Sequence, residues 1–280
     1  MTQSIITNRP SNTARRFITN NSKALEKKQQ TLASGSLIAD PSNAPSNAGI
    51  AQRMEAQQRG SAAAASNTAQ AETMLQLAAG TMSNILEQAQ RMRSIAVMAS
   101  NGLYTATDLV TLNQEFNGLY QEMGREIAST SFNGIQILNQ FSTNLQIGPN
   151  NDNDNKISIQ AGDMDIQTPY GSITSSELDT TTPANNADII TQLDSFINGV
   201  SSAIGSTGAQ KSKMDIIAKT LSIFMENNAA AKSVIADADI PEELAQAQSL
   251  QSLVDVSSTI LRTTSENSKR LADLVQAALR

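Results

Sequence analysis

Apolar side chains recur along most of this 280-residue chain in steps of three and four, the spacing that lines one face of a helix. The longest run is Leu75, Ala78, Met82, Ile85, Ala89, Met92, Ala96 and Ala99, with weaker members back through Ala71, Thr68 and Ala64. Small residues at half of these positions let a partner helix come close, as in a coiled-coil seam. The spacing predicts one helix from about Gln52 to Ser100, roughly 70 Å long at about 1.5 Å per residue, stopped by Asn101-Gly102. Thr107-Asp108 then caps a second helix reaching about Ser129, with Leu109, Leu112, Phe116, Leu119, Met123 and Ile127 on one face.

The second half repeats the pattern. Leu193, Phe196, Val200, Ala203, Thr207, Gln210, Met214, Ile217, Leu221, Phe224, Asn228, Ala231 and Ile235 keep one heptad phase across Gly205 and Gly208. Glycine weakens a helix, but the shared phase on both sides predicts a single long helix rather than two. A last helix opens near Pro241, a first-turn proline followed by Glu242 and Glu243 where the helix dipole favours acids. Its seam is Leu250, Leu253, Ser257, Ile260, Thr264, Asn267, Leu271, Leu274 and Ala278, and the first arm, with Phe17, Ala24, Leu25 and Leu32, is its expected mate. Between the helices, "TNLQIGPNNDNDNKISIQAG" alternates apolar and polar residues about an Asn/Asp-rich turn, a hairpin pattern, and "TPYGSITSSELDTTTP" reads as a polar surface loop. A calcium reading of the "NNDNDNK" tip fails, because Lys156 falls where a ligand is needed and the loop Gly and distant Glu are missing at their spacings.

The fold class expected is therefore mainly α: a long antiparallel coiled-coil rod with a small β-hairpin element, its terminal helices paired as a coiled coil. Composition agrees, with aromatics at 3%, no Trp and little bulky material for a thick core. A net charge of −6 gives no general attraction to nucleic acid or anionic lipid. Residues 1–34 depart from that balance, since Arg9, Arg15, Arg16, Lys23, Lys27 and Lys28 face Glu26 alone, leaving the arm at +5. The chain has neither Cys nor His, which removes thiolate nucleophiles, imidazole bases and nearly every zinc site. Its carboxylates are spread over helix surfaces rather than paired, so no enzyme, cofactor or metal is expected. No apolar run approaches the length of a membrane span, and no cleavable signal peptide is visible at the start.

The terminal helices pose a physical problem. Neither is stable alone in water, and pairing them leaves Ile5, Ile6, Phe17, Leu261, Val275 and Leu279 without cover. Assembly with copies of the same chain is the expected solution.

"LASG" at 32–35, "NAGIAQRM" at 47–54, "QRMRSIAVMASNG" at 90–102, "STSFNGIQIL" at 129–138, "LQIGPN" at 145–150, "IADADIPEELAQ" at 235–246 and the closing "AALR" resemble the landmarks of bacterial flagellins, in family order across essentially the whole chain. The resemblance implies a homopolymer, the extracellular flagellar filament used for swimming motility, exported through the flagellum's own channel without signal cleavage. It implies further partners: the export machinery, a chaperone of the C-terminal helix, cap and junction proteins, and a vertebrate innate-immune receptor. It also divides the chain into 1–40 and 239–280 as an inner-tube domain, 41–139 and 187–238 as helices of a rod domain, and 140–186 as hairpin and surface loop. The variable outer domains of longer flagellins are missing. A hook-filament junction protein and a coiled-coil signalling module are the alternatives.

Two groups of candidate contact residues follow. Phe17, Leu25, Leu32, Leu253, Ile260, Leu271 and Leu274 form the terminal polymerisation seam. Arg91, Ile95 and Glu115 match positions that in flagellins make an axial subunit contact and are read by the innate-immune receptor. The heptad frame points Arg91 away from the seam and places Arg93 at its flank, with Glu87 four residues before Arg91 as a surface partner. Ser94 stands where strongly recognised flagellins have an acid, and Ile95 where they have leucine, which weakens receptor recognition. Pro41 and Pro45 are departures too, and they predict a stiffer, more extended connector between terminal and rod helices.

Overall fold

The computed structural model describes residues 9–42, 44–174, 177–182 and 186–278. Its elements are α1 (Arg9–Ser34), α2 (Pro45–Ala99), α3 (Ala106–Ser129), β1 (Ser131–Phe132), β2 (Ile135–Gln136), β3 (Thr143–Gln146), β4 (Lys156–Ile159), α4 (Gln167–Gly171), α5 (Ala187–Ala236) and α6 (Ile240–Ala278). They form two compact units, a terminal one from the described residues of 1–55 and 228–280 and a central one of residues 56–227.

In the central unit the three-four spacing of α2 becomes burial. Leu75, Ala78, Met82, Ile85, Ala89, Met92, Ala96 and Ala99 are all fully buried, and Ala64, Thr68 and Ala71 nearly so. Leu109, Phe116, Met123 and Ile127 bring α3 onto that seam, and Leu193, Phe196, Val200, Ala203 and Met214 bring α5, so one core cluster joins the three helices. α5 runs unbroken through Gly205 and Gly208, and a Cβ at either would meet nothing. No neighbour requires glycine there, and the fixed heptad phase carries the helix through.

Three local readings shift. α2 starts at Pro45 rather than near Gln52, because the N–H that proline lacks has no helical partner in a first turn anyway. The cap of α3 is Thr105 rather than Thr107: its hydroxyl accepts from the Asp108 N–H while Asp108 reaches back to the Thr105 N–H, a reciprocal box that two-residue displacement would lose. The described residues between 167 and 178 are more than a polar loop, because α4 places Tyr170 against Tyr120 with ring centroids 4.9 Å apart, and Ile173 and Leu178 are buried. The Tyr170 hydroxyl donates to the Tyr120 carbonyl at 3.2 Å, and burial pushes its ionisation well above the ordinary range.

The expected hairpin pairs Thr143–Gln146 with Lys156–Ile159, and its turn is tied by Lys156 Nζ donating to Asn151 Oδ1 at 2.8 Å. A smaller hairpin, β1–β2, precedes it. Its two turn residues, Asn133 and Gly134, have φ of 51° and 79°, the doubly left-handed conformation that the Asn-Gly pair tolerates best.

In the terminal unit α1 packs on α6. Gly35 ends α1 at φ 66°, where a side chain would be strained, and turns the chain so that Ser36 bridges to Asp237 in antiparallel fashion. The Leu37 N–H donates to the Ala236 carbonyl at 2.8 Å and the Ala238 N–H to the Gly35 carbonyl at 3.0 Å. The described part of the connector turns rather than running as an extended strut: Asp40 Oδ1 accepts from the Ser42 N–H at 2.9 Å, and hydrogen bonds from the Ser42 side chain, then from its N–H, draw the carboxyl below its ordinary range. At the start of α6 the Asp239 carboxylate accepts from the Glu242 N–H at 3.2 Å, so Pro241 falls in the first turn.

Candidate subunit-contact sites

The end of α2 carries two arginines on different faces. Arg91 projects outward to Glu115 of α3, Nη2 to Oε1 at 2.6 Å, with both side chains about half exposed. Glu87, the expected i−4 partner, is passed over because α3 lies alongside and offers a carboxylate in range. Arg93 turns the other way and grips Asp194 of α5 with two nitrogens, Nε to Oδ1 at 2.5 Å and Nη2 to Oδ2 at 3.2 Å. These hydrogen bonds, then the opposed charges, raise the guanidinium and lower the carboxyl from their ordinary ranges. The pair of arginines thus staples α2 to both neighbours.

Ile95 does not belong on an outward face. Its side chain is fully buried. The two-helix seam read from sequence leaves that heptad position at the edge, but α3 covers the edge as well, so the apolar stripe of α2 widens to include Ile95 and Met74. Of the three candidates at this site, Arg91 and Glu115 are at the surface and in contact with each other, with Ser94 exposed beside them.

Other links between these helices had no signature along the chain. Gln88 donates to Glu126 at 2.8 Å, the Leu178 N–H to Asn113 Oδ1 at 2.8 Å, and the amide of buried Asn186 accepts from the Asp179 N–H at 2.8 Å. Each joins residues far apart in sequence or in an irregular loop, where periodicity says nothing.

The terminal unit offers the second surface. The covered line of α6 is Glu243, Ala247, Leu250, Val254, Ser257, Leu261, Thr264 and Ser268, all buried or half-buried. Lys28 of α1 closes onto Glu243 at 2.9 Å. This line shares Leu250, Ser257 and Thr264 with the expected seam but takes the neighbouring position of each heptad for the rest. Leu253, Ile260 and Leu274 are consequently outside it, 49%, 49% and 66% exposed, with Val256 beside them at 56%. The correction has a physical cause: α6 is apolar on two adjacent lines, and α1 covers one of them. On α1, Leu25 and Leu32 are half-buried along a line with Ala14 and Ile18, whereas Phe17 sits at its flank and is 56% exposed. The side chains of Leu271 and Val275, together with Ile5, Ile6 and Leu279, lie outside the described residues.

Among the described residues no cluster of acidic side chains could hold a metal ion, and no helix is long and apolar enough to cross a membrane.

Comparisons with known proteins point one way. Residues 5–143 match the family model described as the bacterial flagellin N-terminal helical region. A flagellin of Halalkalibacterium halodurans is 26% identical over 271 residues, covering 96% of this chain and 98% of its own. A flagellin of Bacillus subtilis is 28% identical over 295 residues, covering 95% of this chain and 97% of its own. The crystal structure of Bacillus cereus flagellin aligns over 56% of this chain and 88% of that chain, with a TM-score of 0.48 and 23% identity. These relatives offer no support for a hook-filament junction protein or a coiled-coil signalling module.

Proposed function

Because this chain belongs to the bacterial flagellin family, we propose that it is a structural subunit that polymerises with itself into the extracellular flagellar filament of a swimming bacterium. The observation that supports this best is the double apolar face of α6. Leu253, Val256, Ile260 and Leu274 remain exposed beside a line already filled by α1, so a second partner is needed to take them from water. That partner is another copy of the chain, and the terminal polymerisation seam comprises Phe17, Leu253, Ile260 and Leu274 at the outer side, with Leu25 and Leu32 holding the α1–α6 pair and Leu271 assigned to the seam from the sequence pattern alone.

The finer roles belong to the same reading. Residues 1–40 and 239–280 supply the inner tube and residues 41–238 the surrounding rod. The subunit has no catalytic role and leaves the cell through the flagellar export machinery without signal cleavage, escorted by a chaperone on α6. It meets cap and junction proteins at the filament ends. The exposed Arg91–Glu115 pair serves a subunit contact, and Ser94 beside it makes recognition by a vertebrate innate-immune receptor weak.

Removing residues 271–280 tests the seam. The truncated chain is expected to form no filaments under conditions where the full chain does, while its helical circular dichroism signal falls only by the residues lost. Normal filaments from the truncated chain would remove the seam from this account.

A further inference from the structure

When glycine follows asparagine, the glycine nitrogen can attack the asparagine side-chain amide with no Cβ to crowd the approach. The sequence holds four such pairs: Asn101-Gly102, Asn117-Gly118, Asn133-Gly134 and Asn198-Gly199. The fold treats them differently. Asn117-Gly118 lies inside α3 and Asn198-Gly199 inside α5, where the glycine N–H is spent on the carbonyl four residues back and the backbone dihedrals are fixed. The Asn117 amide is held further, its Oδ1 accepting from Gln121 Nε2 at 2.6 Å. Asn133-Gly134 is exposed, but it forms the turn of the β1–β2 hairpin between the paired residues Phe132 and Ile135, so rotating its backbone would open the hairpin.

Asn101-Gly102 has neither restraint. Both residues are exposed in the connection that follows α2. The Asn101 N–H donates to the Met98 carbonyl at 3.0 Å and the Asn101 carbonyl accepts from the Tyr104 N–H at 3.4 Å, while no described residue accepts from the Gly102 N–H between them. A Cβ at Gly102 would meet nothing within 4 Å, so the space around its nitrogen is open. The Asn101 side chain is folded forward, with Oδ1 accepting from the Leu103 N–H at 3.2 Å. That bond carries Cγ over the Gly102 nitrogen. It also puts a donor on the oxygen that gains negative charge when Cγ is attacked, which is how an oxyanion hole lowers a barrier.

We propose that Asn101 is a self-modifying site, which the folded free subunit converts to isoaspartate and aspartate ahead of its other Asn-Gly pairs. The Gly102 nitrogen gives its proton to hydroxide and attacks Asn101 Cγ. A bond from that nitrogen to Cγ forms, the Cγ–Nδ2 bond breaks, and ammonia leaves with a proton taken from water. Water then opens the cyclic imide at either carbonyl, giving aspartate or, with the main chain rerouted through Cβ and Cγ, isoaspartate. Either product leaves a carboxylate just past the C-terminal end of α2, where the helix dipole disfavours negative charge, and isoaspartate also lengthens the α2–α3 connection by one methylene. Aged subunits are thereby marked at one place. The proposal stands whether or not the chain polymerises.

The full chain is kept in dilute solution at mildly alkaline pH and digested at intervals. Fragment masses then locate each conversion, and an isoaspartate-specific carboxyl methyltransferase counts the isoaspartate. Asn101 is expected to convert at least about tenfold faster than Asn117, Asn133 or Asn198, since those must first open a helix or a hairpin. The rate is expected to rise with pH, because the Gly102 nitrogen must lose its proton. In the urea-unfolded chain the four pairs are expected to convert at similar rates. Leu103→Pro removes the N–H that holds Asn101 Oδ1 and is expected to slow the conversion several-fold, whereas Leu103→Ala keeps both the N–H and the rate, with circular dichroism reporting the fold of each. If Leu103→Pro disturbs the fold, the ranking of the four pairs in the parental chain still decides. Asn133 converting first, four equal rates in the folded chain, or a preference for Asn101 that persists after unfolding overturns the proposal, as does a folded Leu103→Pro chain that converts as fast as its parent.

Discussion

Asp194 on α5 accepts two hydrogen bonds from Arg93 on α2, and this holds its carboxyl below the ordinary value of 3.8. A group that is a stronger acid when folded favours folding wherever it is ionised. Its contribution is therefore complete above its ordinary value and is lost as pH falls through the lower, folded one. Asp108 in its capping box and Glu122 beside Arg125 shift the same way for the same kind of reason. Asp194→Asn is expected to lower the thermal midpoint near pH 6 and to lower it less at an acidic pH at which the parental carboxyl has taken up its proton. An equal gap at both pH values would remove the ion pair as its cause. At this scale the sequence was only half legible. Arg91 was placed outward by its heptad position, but its partner was mistaken because Glu115 comes from another helix. Ile95 was mistaken for the same reason, since burial by a third helix leaves no mark on the helix that is buried.

Among the elements, glycines provide opposite tests of one helix-packing picture. At Gly124 of α3 a Cβ would run into the ring and hydroxyl of Tyr170, which is stacked on Tyr120, so Gly124→Ala is expected to destabilise by about 1–3 kcal/mol through overpacking. At Gly205 of α5 nothing lies within 4 Å, so Gly205→Ala is expected to stabilise by about 0.5–1 kcal/mol through helix propensity alone. Denaturant titration of both variants checks the signs, and a stabilised Gly124→Ala would show that the tyrosine stack does not pack as described. The long helices and the larger hairpin were legible because one period persists over many turns, strongly enough to carry α5 across two glycines. The small hairpin was missed although Asn-Gly announces it, because two-residue strands are too short to show alternation. Choosing the covered line of α6 was beyond the sequence: two heptad phases share Leu250, Ser257 and Thr264, and only the position of α1 decides between them.

For the molecule as a whole, the burial of large side chains is uneven. Among the described residues, the largest fully buried ones, including Phe116, Phe196, Leu75 and Met82, lie in the central unit, while those that α1 and α6 bury are small or polar: Ser11, Ala14, Thr31, Glu243 and Ala247. Apolar burial is the main source of stability, so the terminal unit of a lone chain is held weakly and gains most from assembly. Hydrogen exchange on the monomer is expected to show α1 and α6 exchanging at least about tenfold faster than the buried stretch of α2, with protection rising in both on polymerisation. Equal protection in the free chain would mean that the terminal pair needs no partner. The central claim is that this chain is a filament subunit. Electron microscopy of the purified full chain, with and without seeds cut from preformed filaments, tests it most directly. Long filaments of uniform diameter are the expected result, and a chain that stays dispersed at every concentration even when seeded would contradict the account.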